Sequence, residues 1–481
     1  MKIFDSLSQK KVELKIPKNK LLEIFVCGPT VYDYSHIGHA RTYITFDAFV
    51  KYLRSRKIKV FYLQNITDVD DKIINRAKEN NENPFNLAMR FKAEYLKDMK
   101  ILGVNSVNKY ARATMYMKEI EKQITNLIRK GFAYQTKNGV YFEVKKFGDY
   151  GKLSKQNLSE LRAGYRIEPD PEKKDSLDFA LWKKTEVNSD LKTAKKLIIA
   201  KNGEPAWKSP WGWGRPGWHI EDTAITEKYF GPQYDIHGGG NDLKFPHHES
   251  EIAQQEAASG KKPLVKIWMH TGFLLVNGEK MSKSLHNFIT IRDFLKNNSP
   301  ELLRIMVLQN HYRSPFNYTK DSMAQSKALL NSIGEFLEKL RFIAKSSKAN
   351  TPASGKKSVR LLAEKIKKGN ERFEQALNDD FNTPKAFSAI MGLISETQPA
   401  IWNFSPKEAL ILEKFILNQL KLFEIRPKST KIPANIAKLA KNREKYRSNK
   451  QFVQSDELRR KIEMLGYIIE DTTFGTFIRK S

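Results

Sequence analysis

The chain has one cysteine, Cys27, in 481 residues. A single thiol excludes an internal disulfide framework and points to a reducing compartment. No uninterrupted apolar run approaches the ~18–20 residues that a membrane span needs. The opening MKIFDSLSQKK lacks the apolar core of a signal peptide. These absences lead to the expectation of a soluble, cytoplasmic chain. Acidic residues are also scarce relative to basic ones: 54 Asp+Glu against 84 Lys+Arg give a net charge of +30. The excess is spread along the chain. Part of it is ordinary solvated surface, and the rest favours a polyanionic partner, nucleic acid first. The length allows roughly two to four domains with a large core.

What is present is organised around the stretch from Ile24 to Ala40, IFVCGPTVYDYSHIGHA. Ile24-Phe25-Val26 reads as a fully buried strand, and Cys27-Gly28-Pro29 turns the chain after it. His36-Ile37-Gly38-His39 stands at the mouth of a helix expected from Ala40 to about Lys57. A thiol thus sits at a strand's C-terminal edge, where ligands bind in open parallel sheets. Two imidazoles sit at a helix N-terminus, whose free N–H groups favour a phosphate. Taken alone, the stretch reads equally well as two cap histidines and a core cysteine, because short motifs recur by chance.

Taken in order, the chain continues with a second strand over Ile58–Leu63, then a polar loop, Gln64 to Lys72, able to cap the next helix. This β–α–β opening predicts an α/β fold with a doubly wound, Rossmann-like parallel sheet. Residues 84–133 read as helical, with Gly103 and Gly131 as stops, and Gly139–Val144 as a strand. From Phe147 to about Trp213, Pro, Gly, Asp and Lys predict an insertion with little regular structure. The sheet is expected to resume at Trp218–Glu221 and Tyr234–Ile236. Gly238-Gly239-Gly240 then permits close approach of a flat base or sugar, or is a flexible turn. If a helix starts at Pro246, His247 and Glu251 share one face at a spacing suited to a metal ion. Ile267–Leu275 reads as a strand and Asn277-Gly278 as a turn. Lys280 and Lys283 lie in a loop from which they can reach phosphate oxygens, although K-x-x-K is common in a lysine-rich chain. Beyond Pro300 the pattern is helical, with polar linkers at Lys345–Lys357 and Pro427–Pro433 and a short β-like tail, Tyr467–Lys480.

HIGH at 36–39 and KMSKS at 280–284, with a nucleotide-binding sheet between them, are the paired motifs of class I aminoacyl-tRNA synthetases. With CGPTVYDYSHIGHAR, NITDVDDKI, RPGWHIE and DIHGGGNDLKFPHHESEIAQ, they make the chain resemble the cysteinyl-tRNA synthetases over essentially its whole length. The resemblance implies attack of the L-cysteine carboxylate on the α-phosphate of ATP, giving cysteinyl-adenylate and pyrophosphate. Transfer to the terminal ribose of tRNA(Cys) follows. In these terms His36 and His39 stabilise the α-phosphate, Lys280 and Lys283 hold the departing pyrophosphate, and Mg2+ accompanies ATP. Gly238, Gly239 and Gly240 face the adenosine. Gly28, Thr67, Trp218 and Asp242 match cysteine-pocket positions, although a tryptophan is more often core than ligand wall. Phe452, Asp456 and Asp471 match an anticodon-reading tail, and a monomer is implied.

The family selects cysteine through zinc held by two cysteines, a histidine and a glutamate, which fall here on Cys27, position 222, His247 and Glu251. Position 222 is Asp222, a departure from the pattern. Aspartate is an acceptable zinc ligand but leaves the ion harder. The alternatives are a weaker or different metal, recognition of the thiol without metal, or a helix N-cap at Asp222. Two other functions of the same fold stay open: a ligase joining cysteine to an amino-sugar, and a non-catalytic tRNA-binding descendant. The more than a hundred residues after 358, with Arg443, Arg447, Arg459 and Lys461 near Tyr446 and Phe452, favour a tRNA partner over the first. The expected boundaries are 1–110 and 216–299 for the two halves of the catalytic domain and 111–215 for the insertion. They continue with 300–357 for stem-contact helices, 358–426 for a helical bundle and 427–481 for an anticodon-binding module. The lysine-rich piece from Val187 to Glu204 has no assigned role.

Overall fold

The computed structural model describes residues 1–16, 21–156, 171–187, 196–200, 202–282, 285, 287–346, 355–427 and 431–481. Lys283 of the lysine loop and much of Val187–Glu204 lie outside the described residues. The described chain divides into two units, Met1–Pro300 with Tyr312–Tyr318, and Glu301–His311 with Thr319–Ser481.

In the first unit, β1 (Lys2–Asp5) and β2 (Lys10–Glu13) pair antiparallel. β3 (Leu22–Val26) is the predicted buried strand, with only Glu23 partly exposed. α1 (Ile37–Ser55), β4 (Val60–Ile66), α2 (Asp71–Glu79), α3 (Pro84–Ile101), β5 (Lys109–Arg112) and α4 (Met117–Arg129) follow. The stretch over 84–133 is two helices, ended at the expected stops Gly103 and Gly131, with an unexpected strand between them. Gly103, at φ +70°, closes the first. β5 is an edge strand of four residues, too short for an alternation to outweigh its helical flanks.

Among its described residues the insertion is not irregular. β6 (Ala133–Gln135), β7 (Gly139–Phe142), β8 (Phe179–Lys184), β9 (Leu197–Ile199), β10 (Pro205–Ser209) and β11 (Gly212–Pro216) form an antiparallel sheet in the order β6-β7-β8-β11-β10-β9. Its strands are short, so turn residues dominate the composition and hide the alternation. Trp182, Trp207 and Trp211 are buried there.

α5 (Ile220–Phe230) replaces the strand expected at Trp218–Glu221, where four residues of alternation misled. β12 (Tyr234–Gly240), α6 (Glu249–Ser259) and β13 (Val265–Thr271) complete the central sheet. α6 begins three residues after Pro246, because Lys244–His248 forms a wider turn with Phe245 extended. β14 (Leu274–Val276), β15 (Glu279–Lys280), α7 (Ile291–Asn297) and β16 (Phe316–Tyr318) finish the unit.

The central sheet runs β13-β12-β3-β4-β5, all parallel. Chain order reverses between β3 and β12, so the crevice beyond their C-terminal ends is the place for a ligand. Cys27, Thr67 and Gly240 all lie at that edge.

The second unit is helical: α8 (Pro300–Leu308), α9 (Lys320–Ala344), α10 (Lys356–Asn378), α11 (Thr383–Thr397) and α12 (Pro406–Leu422). Thr319 and Ser405 close capping boxes on α9 and α12. α13 (Ala434–Ser448) and α14 (Phe452–Met464) lead into the hairpin of β17 (Tyr467–Thr472) and β18 (Gly475–Lys480). Ile436, Ala440, Ile462 and Ile469 form the small core of this last module. No helix among the described residues is long and apolar enough to cross a membrane.

Candidate active site and metal centre

His36 caps α1. Its Nδ1 accepts from the N–H groups of Gly38 at 3.1 Å and His39 at 3.3 Å, while His39 Nδ1 accepts from the His36 N–H at 3.3 Å. This reciprocal box uses Nδ1 of both rings as acceptor, so in the neutral form each carries its proton on Nε2. The rings stack at 3.8 Å. Burial, helped by the Lys72 charge, pulls the His39 pKa down to about 4. At neutral pH His39 is therefore a hydrogen-bond donor and not a cation.

The lysine loop returns to the same helix end. Ile37 N–H donates to the Ile289 carbonyl at 3.1 Å and Ile291 N–H to Ser35 at 2.9 Å, and the Phe288 ring lies edge-on to His36 at 5.2 Å. A Cβ placed on Gly38 would stand 3.4 Å from the Met281 methyl. The two signature motifs thus meet. Lys280 is exposed on β15, with its ammonium 5.6 Å from the Phe273 ring centre.

Beside them lies a buried polar cluster. Cys27 Sγ is 3.5 Å from His247 Nε2, which is 3.0 Å from Asp222 Oδ2 and 3.2 Å from Glu251 Oε1. The donor atoms of Cys27, Asp222 and His247 all lie within 4.8 Å of one another. Asp222 is inside the first turn of α5 and is not its N-cap, which is His219. Trp218 stacks on His247 at 4.1 Å, and His219 Nδ1 is 2.9 Å from His247 Nδ1. Glu251 also belongs to a second buried group with His237 and His248, within the same distance limit.

Burial, then the carboxylates of Asp222 and Glu251, push the Cys27 thiol well above its ordinary pKa. Burial and Asp222 likewise raise the Glu251 and Glu221 carboxyls. Neither carboxylate oxygen of Glu251 accepts a hydrogen bond among the described residues, the imidazoles beside them being out of line for one, though the side chain is fully buried. Buried acids gathered around an imidazole and a thiol, with oxygens left over, fit a divalent cation.

The remaining predicted residues are placed as follows. The Thr67 hydroxyl donates to Glu221, and a Cβ on Gly28 would strike the Asn65 carbonyl. Asp242 is exposed beside Gly240. The Gly238 position faces the Phe46 ring and the Gly239 position the His248 ring, so these glycines admit side chains of the protein itself. In the second unit Phe452 is 60% exposed and Asp456 is exposed, whereas Asp471 is engaged by Arg443 at 2.7 and 2.9 Å and by Arg447. Asn65, Glu221, His237 and His248 were missed. For the two histidines the signal was their position flanking GGG and within HHE. For Asn65 and Glu221 no local pattern marks the role. A cavity of about 730 Å³, lined by Asp70, Lys183, Arg215, Trp218, His219 and Phe245 among others, opens beside the cluster.

A parallel sheet with a switch point, a histidine-capped helix and a returning lysine loop define a class I aminoacyl-tRNA synthetase. Residues 13–328 match the family described as tRNA synthetases class I (C) catalytic domain, and 372–418 match a DALR domain. The chain is 42% identical to a cysteine–tRNA ligase of Thermococcus onnurineus over 100% of its length and 99% of that protein's. It is 44% identical to a cysteine–tRNA ligase of Thermoplasma volcanium over 98% of each. The chain belongs to the cysteine–tRNA ligase family. Its fold is also that of Mycobacterium tuberculosis methionyl-tRNA synthetase with methionyl-adenylate, at a TM-score of 0.60 and 15% identity over 84% of this chain and 90% of that one.

Proposed function

We propose that the protein joins L-cysteine to tRNA(Cys) in two ATP-dependent steps, through cysteinyl-adenylate. The observation that carries this is the convergence at one sheet edge of the His36–His39 pair, the lysine-loop segment and the Cys27–His247 cluster. Phosphoryl transfer needs positioning and charge neutralisation more than covalent help. His36 and His39, held rigid by their shared cap, present Nε2–H donors to the α-phosphate. Lys280 and Lys283 neutralise the departing pyrophosphate, with Mg2+ carried by ATP. Gly238–Gly240 border the adenosine, and Gly28, Thr67, Trp218 and Asp242 border the amino acid.

Cysteine must be told from serine, and an apolar pocket does this poorly. Cys27, Asp222 and His247 would hold zinc, with Glu251 adjacent to His247. When bound, zinc supplies a soft Lewis acid that grips a thiolate in preference to a hydroxyl. Burial, and then the acids around it, keep the Cys27 thiol protonated in the metal-free protein, and those acids set the charge that a cation offsets. Phe452, Asp456 and Asp471 contribute to tRNA recognition in the same reading, and the chain acts as a cytoplasmic monomer. The match of relatives over the full chain, helical module included, speaks against the amino-sugar ligase.

The test is charging of tRNA with labelled cysteine. Cysteinyl-tRNA formation is expected. Transfer of cysteine to an amino-sugar, or tRNA binding without charging, would overturn the proposal in favour of the alternatives.

A further inference from the structure

Asn65 lies near the end of β4 and is fully buried. The two ends of its amide serve two different segments. Oδ1 accepts from the Gly28 N–H at 2.5 Å, one residue beyond Cys27. Nδ2 donates to Asp222 Oδ1. Because a backbone N–H can only donate, the Gly28 contact fixes which end of the amide is oxygen, and the N–H2 end must face the carboxylate. The other Asp222 oxygen, Oδ2, is then the one turned toward His247, at 3.0 Å.

A thiolate offers one donor atom, placed by a single side-chain torsion. A carboxylate offers two oxygens on a rotatable bond, so an aspartate ligand has to be oriented. Partners that orient a ligand from behind typically govern metal affinity 10–100-fold. We infer that Asn65 is a positioning residue that fixes the Asp222 carboxylate so that Oδ2 is the oxygen offered to a metal. The inference rests on the reading that Cys27, Asp222 and His247 hold a metal ion.

The test is zinc affinity of the full-length chain by competition with a chelator, for the native protein, N65A, D222A, D222C and the double variant D222C/N65A. Absorption of the cobalt-substituted proteins reports coordination directly. N65A is expected to weaken zinc binding about 10–100-fold and to alter the cobalt d–d bands. In the D222C background, where a single-atom donor needs no orienting, the same change is expected to alter affinity by less than ~3-fold. That double variant also shows that the fold tolerates loss of the amide. Equal losses in both backgrounds would mean that Asn65 acts through the Gly28 turn or the fold, and would overturn the inference. So would failure of N65A and D222C/N65A alike to fold. An unchanged affinity in N65A, with D222A weakened, would overturn this inference alone. A native chain that binds no stoichiometric metal would overturn the metal reading, and this inference with it.

Discussion

Gly38 is the position at which the meeting of the two signature motifs can be probed most sharply. A Cβ there would stand 2.8 Å from both Nδ1 and Cε1 of His36, and 3.4 Å from the Met281 methyl. Carbon contacts settle near 3.5 Å, so the ring must retreat by roughly 0.7 Å in Gly38→Ala. Retreat breaks the acceptance by His36 Nδ1 of two N–H groups, at a cost of about 1–2 kcal/mol to the helix end. It also unseats the ring stacked on His39. A displacement near 1 Å in a transition-state donor typically costs ~10²-fold in rate. The expected result is a 10–100-fold fall in cysteine-dependent ATP–pyrophosphate exchange, with cysteine affinity little altered. Exchange within about threefold of the native rate would refute the assignment of His36 as a fixed phosphate donor.

Three further outcomes are expected. Lys280→Ala and Lys283→Ala should each lower exchange by ~10²-fold while leaving cysteine binding nearly intact, because the role proposed for both is to neutralise phosphate charge; unchanged exchange would count against that role. His39 takes up its proton only near pH 4, whereas in the unfolded chain it does so near pH 6.5. The native state then binds fewer protons between these values, so stability rises with pH across that window, by at most about 1.4 kcal/mol per unit. Denaturant melts of His39→Asn should show a correspondingly flatter pH slope, and an identical slope would contradict the assignment. Asp471→Asn, which weakens the pair with the nearly buried Arg443, should lower the stability of the C-terminal module by about 1–2 kcal/mol, the carboxylate being one-third exposed. A loss of tRNA affinity with no change in the unfolding midpoint would instead make Asp471 a tRNA contact alone.

Local signals carried much of this structure. The apolar run at Ile24–Val26 reads as a buried strand and is one, and the turn after it places Cys27 at the sheet edge. The four-residue spacing of His247 and Glu251 held although α6 starts later than Pro246 suggested, and their side chains lie 3.2 Å apart. Of the inserted sheet only the strand at Gly139–Phe142 was legible; the others were not, because strands of three to six residues leave turn residues in the majority. Asn65 and Glu221 were illegible for another reason. Asn65 meets Asp222 across 157 positions and Glu221 meets Thr67 across 154, so only the fold brings them together. At the glycine strip, the Cβ directions of Gly238 and Gly239 are taken by the Phe46 and His248 rings, a requirement for glycine that composition alone does not reveal.

The central claim is that ATP's phosphate and the sulfur of an amino acid are handled at one cleft in this chain. Amino-acid-dependent ATP–pyrophosphate exchange, run across all the standard amino acids, tests it most directly. Exchange driven by cysteine, absent with serine and abolished by replacing His36 or His39, is the predicted result. Exchange driven equally by serine, or none with cysteine, would contradict it.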